Sequence, residues 1–187
     1  IGVGGNLYAT ASTITVKGNW LNYGSFNAGT STVILNGTNQ TIYGNTTFYN
    51  LIKTVISADT LYFQAGSTQT ILNSLTLQGA SGNLLSLRST SVGSYWYINP
   101  QGTRNISFVD IKDMNNLNIV SIVTTNSVNS GNNSNVGFGG SECACLSLPL
   151  ILTLSETKGK NLISPLWQRE AKGDFMEVMG DYRGQPC

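Results

Sequence analysis

The sequence predicts an all-β fold: a single-stranded parallel β-helix with coils of about 19–21 residues, followed by a poorly ordered tail. Three observations predict it. First, "FNAGTSTVILNG" (Phe26 to Gly37) returns as "FQAGSTQTILNS" (Phe63 to Ser74), 37 positions on, and "TITVKGN" (Thr13 to Asn19) returns as "TVILNGT" (Thr32 to Thr38), 19 positions on. Self-similarity at a fixed period marks a chain built by stacking like units. Second, short β-branched, leucine and aromatic runs alternate with Gly, Asn and Ser clusters, and no sustained helical period interrupts them. Third, this grammar stops near residue 140: residues 1–140 hold twenty Asn and eight charges, residues 141–187 one Asn and eleven charges.

The elements follow in order. "IGVGGN" lacks the glycine spacing and the flanking strand and helix of a phosphate-cradling loop, so it reads as a flexible lead-in. Strands are then expected at "STITV", "STVIL", "TTFYNLI", "DTLYF", "TQTILNSLTL", "NLLSL", "SYWYI", "RNISFVDI" and "LNIVSIV". Pro100 is the only proline before residue 140, so few ladder hydrogen bonds are lost. Asparagines at run ends, such as Asn36, Asn73 and the pair Asn115–Asn116, suit left-handed turns and can bond to the coil above or below. A β-sandwich would need hairpins but no repeat, and the offsets favour the coil. They place Ile34 and Ile71 at equivalent inward positions, two coils apart.

Residues 141–187 are read as a separate tail. Its polar "SETKGKN" offers little apolar area against the entropy of ordering. Protease is expected to cut first between Ser155 and Arg183, and "LSLPLILTL" (Leu146 to Leu154) is expected to cap the last coil or add to an open edge. That run has nine residues, whereas a spanning helix needs about 20. Position 1 is Ile, which reads as a processed chain or an excerpt.

Two resemblances are visible. "NYGSFNAGTSTVILNGTNQTIYGNTTFYNLIKT", its continuation through "SYWYINPQGTRNISFVDIKDMNN", and "NSGNNSN" resemble the repeats of secreted bacterial β-helix proteins of the filamentous-haemagglutinin and adhesin kind. This likeness spans roughly residues 10–138. It implies a right-handed winding and a place outside the cell or on its surface, and it carries over no catalytic residue. In the tail, "NLISPLWQREAKGDF" (Asn161 to Phe175) resembles peptides made when interspersed bacterial DNA repeats are translated by accident.

Composition narrows the chemistry. There is no histidine, so the commonest general base and metal ligand is missing. A net charge of +1 offers no basic surplus for nucleic acid and no charge block for a membrane surface. Cys143, Cys145 and Cys187 cannot complete a four-ligand zinc site. Sequons at Asn36, Asn39, Asn45, Asn105 and Asn132 are what chance supplies in a chain rich in Asn and Thr. No cofactor, metal or catalytic residue is expected.

Four residues remain as candidate carbohydrate contacts: Tyr95, Tyr97, Asp110 and Lys112. Alternation in "SYWYI" buries Trp96 and Ile98 and turns the two tyrosines outward, where they can stack on sugar rings. Tyrosine is also common on outer strand faces for its β-propensity alone. In "FVDIKDMNN", Asp110 and Lys112 share a strand face and Asp113 takes the other. A glycosidase needs paired carboxyls about 5 to 9.5 Å apart. The plain alternative is a solvated strand end with a surface ion pair. The function expected is structural or adhesive, in a secreted or cell-surface repeat protein whose partner is a surface polysaccharide or further copies of itself. The alternatives are a polysaccharide lyase or hydrolase on the same scaffold, and a filament subunit that joins by strand addition.

Overall fold

A computed structural model of the protein describes residues 1–139. The expectations placed on residues 141–187 lie outside the described residues.

The described residues form seventeen strands and no helix. In chain order they begin β1 (Asn6–Tyr8), β2 (Thr13–Val16), β3 (Trp20–Leu21), β4 (Ser25–Asn27), β5 (Thr32–Leu35) and β6 (Gln40–Tyr43). Then come β7 (Thr46–Thr54), β8 (Asp59–Phe63), β9 (Thr68–Gln78), β10 (Leu85–Ser89), β11 (Trp96–Pro100) and β12 (Thr103–Ser107). The last are β13 (Val109–Ile111), β14 (Met114–Asn116), β15 (Ile122–Thr125), β16 (Val128–Asn129) and β17 (Val136–Gly139).

Every pairing between these strands is parallel, which excludes a hairpin-built sandwich. The largest sheet runs β2-β5-β7-β9-β12-β15-β17, and a second runs β3-β6-β8-β10-β13-β16. The third side holds the β1–β4 pair and a run in which the first residues of β7 and β9 lead on to β11 and β14. Along the chain, strands of this third set, of the largest sheet and of the second sheet follow one another in a fixed order. This is an all-β, solenoid-like arrangement, and no helix among the described residues is long and apolar enough to cross a membrane.

Alternation along each strand sends one set of side chains inward, where the three sides share one apolar cluster. Val33, Leu51 and Leu75 are fully buried neighbours on successive strands, and Ile42 and Phe63 pair in the same way on the second sheet. The 19-residue echo is this register itself, since Thr13 to Val16 pair with Thr32 to Leu35.

The 37-residue echo has a different meaning. Ile34 is half-buried on the outer side of its strand, pairing with Thr15 and Ile52, while Ile71 is fully buried against Phe48 and Pro100 on another side. The expectation that both occupy one interior column is therefore wrong. Phe26 ends near a corner at Gly29 (φ 55°) and Phe63 near a corner at Gly66 (φ 76°), and these are different corners. What repeats is a strand–corner–strand unit, which the chain needs at every bend. Loops of unequal length also change the spacing: Thr13 pairs with Thr32, Ser74 with Thr103, and Ile122 with Val136.

Three local expectations need correction. "LNIVSIV" is not a strand throughout: Leu117, Ile119 and Val120 are exposed, and β15 begins only at Ile122. The turn at the start is tied down, with Gly5 N donating to Gly2 O (2.9 Å) and Tyr23 N to Ile1 O (2.9 Å). The left-handed asparagines are Asn39, Asn126, Asn132 and Asn135 rather than those named from the sequence. Asn73 and Asn116 do bond to neighbouring strands, through Asn50 Oδ1 (2.8 Å) and Asn135 O (3.1 Å).

Candidate functional site

Tyr95 and Tyr97 flank Trp96, which anchors β11 from within. Trp96 is fully buried and stacks on Phe63, with centroids 3.8 Å apart and planes 3° from parallel. Its indole Nε1 donates to Lys112 O (3.0 Å) and its backbone N to Asp113 O (3.0 Å). Ile98 is also fully buried. The two tyrosines therefore face outward, half-exposed, with ring centroids 6.3 Å apart and tilted by 45°. Thr68 and Asn115 flank Tyr97 in register, and Thr70 pairs with Asn99. The outward surface around the pair carries amides and hydroxyls.

Asp110 lies on β13 of the second sheet and Lys112 one residue past its end, whereas Tyr97 pairs with Thr68 and Asn115 on the third side. Asp110 and Lys112 are both half-buried. Asp110 does not pair with Lys112. Its Oδ2 is held by Arg88, whose Nη1 also donates to Asp110 O (2.6 Å), and its Oδ1 accepts from Ser130 Oγ (2.6 Å). Asp113 is buried at a left-handed corner (φ 60°), where it accepts from Asn132 Nδ2 (2.7 Å) and Gly93 N (3.1 Å). The structure thus places Asp110 on the second sheet, Tyr97 on the third side, and Tyr95 and Lys112 at strand ends between them.

Sequence reasoning missed Arg88. It precedes Asp110 by 22 positions, close to the spacing of neighbouring strands, and Ser86 pairs with Asp110. It also missed the third carboxylate's partner. Lys53 is fully buried, and its Nζ lies 2.7 Å from Asp59 Oδ2, 2.8 Å from Gly37 O and 3.2 Å from Gln40 Oε1. Asp59 Oδ1 accepts from Asn39 N and Thr60 N, each at 2.7 Å. Burial pushes the Asp59 pKa up, but these backbone donors and the Lys53 ammonium outweigh it and hold the carboxyl below its ordinary value.

All three described carboxylates are thus engaged in contacts that close corners or join strands.

No family model, curated protein or solved structure matches this chain.

Proposed function

We propose that the chain is a structural and adhesive segment of a secreted or cell-surface repeat protein, wound as a right-handed parallel β-helix, with no chemistry of its own. The observation that carries this reading is the all-parallel strand pairing around one apolar interior, from Thr13 to Gly139, with one register shift between Phe48 and Asn50. A chain that passes three sides in rotation advances about 4.8 Å per pass, so six or seven passes make a rod roughly 30 Å long. Its outward positions repeat along that axis, which suits an extended partner such as a surface polysaccharide.

The engagement of Asp59, Asp110 and Asp113 supports a scaffold over an enzyme. Both Asp110 carboxyl oxygens are already engaged, by Arg88 and by Ser130. The test is adhesion. Beads coated with the full chain should hold to surfaces bearing polysaccharide and release no reducing sugar from them. Beads that hold to no such surface, or a chain that depolymerises the polymer, would contradict the proposal.

A further inference from the structure

A shallow trough runs up one corner of the fold, where the second sheet turns into the third side. Tyr23 stands at its lower end, 51% exposed. Above it, Gly44, Asn45, Gln64, Ala65, Gly66 and Ser67 line a hollow of about 280 Å³. This lies near the lower edge of small-molecule sites, about 300–1,000 Å³. One pass further on is Tyr95, whose carbonyl accepts from Gly66 N at 2.8 Å. The hollow thus has the Tyr23 ring at one end, and half-exposed Tyr95 follows at the same corner.

The two glycines are glycines for different reasons. Both have left-handed backbones, with φ 80° at Gly44 and 76° at Gly66. A Cβ on Gly44 would fall 1.9 Å from Asn22 O, so the neighbouring pass forbids it. A Cβ on Gly66 would meet nothing within 4 Å. At Gly66 the packing leaves room for a side chain, and the room is the trough.

The walls are preorganised. Gln64 Oε1 accepts from Gly44 N (2.8 Å), Asn45 Oδ1 accepts from Thr68 N (2.8 Å), and Ser67 Oγ donates to Gln64 O (2.8 Å). Each amide oxygen is fixed by a backbone donor, which leaves its NH₂ to reach outward. No residue lining the hollow is charged. Tyrosine rings along the corner, amide groups between them and no ionic group are the chemistry that recognises a neutral sugar chain. An acidic polymer would find no cation in the trough.

We infer that this corner, Tyr23–Gly44–Gly66–Tyr95, is a binding trough for a neutral glycan chain lying along the axis, with Tyr97 extending the aromatic platform. The inference rests on the adhesive reading above and names its ligand class. The test titrates the full chain by calorimetry with cellohexaose, chitohexaose and hexagalacturonate. At least one neutral hexaose should bind, and hexagalacturonate at least tenfold more weakly. Gly66→Asn fills the trough with a residue that tolerates a left-handed backbone, and it should weaken the neutral hexaose at least tenfold. Tyr23→Ala, at an exposed ring, should do the same without touching the interior. Failure of both neutral hexaoses to bind, equal binding of hexagalacturonate, or wild-type binding by both variants would overturn the trough. If chain-coated beads still hold to polysaccharide surfaces when both variants do, adhesion stands and the site lies elsewhere. Beads that hold to nothing would remove the adhesive reading itself.

Discussion

Lys53 and Asp59 form an ion pair inside the fold, Nζ to Oδ2 at 2.7 Å, with side chains 0% and 4% exposed. Lys53 occupies an inward position that Leu77 and Ile106 fill on the next two strands. A lysine in an apolar column is tolerable only because Asp59, Gly37 O and Gln40 Oε1 surround its ammonium.

Removing one partner should therefore cost far more than removing both. Asp59→Asn leaves a buried ammonium without its counter-charge and should destabilise by about 3–5 kcal/mol in urea unfolding. Adding Lys53→Met should recover most of that loss. Equal stability of Asp59→Asn and the parent chain would contradict the pairing.

The same pair predicts a pH dependence. The folded Asp59 carboxyl sits below its ordinary value. Its contribution to stability is then complete above the unfolded carboxyl's range, near ~3.9, and fades as pH falls through the lower folded value. Urea midpoints measured from pH 6 down to pH 2 should fall more steeply for the parent chain than for Asp59→Asn. Parallel profiles would show that another group carries the acid sensitivity.

Register can be read by mutation. Leu75 is fully buried between Leu51 and the β12 strand, so Leu75→Ala should cost about 2–5 kcal/mol. Ile34 lies half-buried on the outer side, so Ile34→Ala should cost less than about 1 kcal/mol. A reversal of that order would mean that the strand faces are exchanged.

This contrast shows what was legible in the sequence. The strand runs and the 19-residue register were readable because β-branched alternation and pairing act over short distances, as at Thr13 to Val16 against Thr32 to Leu35. The inward face at "SYWYI" was readable for the same reason, since Trp96 and Ile98 alternate with tyrosines. The place of Ile71 was not, because a corner and a loop of any length can fall between two like phrases. The partners of Asp110 and Asp59 were also hidden: Arg88 and Lys53 meet them only through strand pairing and corner geometry, and an inward lysine looks like an outward one in a list of residues. The trough floor was invisible because a glycine's empty side is defined by the neighbouring pass.

The corner glycines give a further prediction. Gly44→Ala should destabilise by more than about 2 kcal/mol, since a left-handed alanine is strained and its Cβ meets Asn22 O at 1.9 Å. Gly66→Ala carries the backbone strain alone and should cost about 1–2 kcal/mol. Equal losses would mean that the Asn22 carbonyl does not crowd Gly44.

Asp110→Asn should change no catalytic property. Incubation of the full chain with polysaccharides should release no reducing ends before or after the substitution, and the loss of the half-buried Arg88 pair should cost no more than about 1 kcal/mol. A cleavage activity abolished by this change would make Asp110 a catalytic carboxylate.

The proposed right-handed winding stacks inward residues in register as one chain passes three sides in rotation. An experimentally phased crystal structure of the full chain tests it most directly. The account predicts that Val33, Leu51 and Leu75 form one fully buried interior column on adjacent parallel strands, and that the chain climbs with a right-handed sense. A left-handed climb, or β5 paired antiparallel to either neighbour, would contradict it.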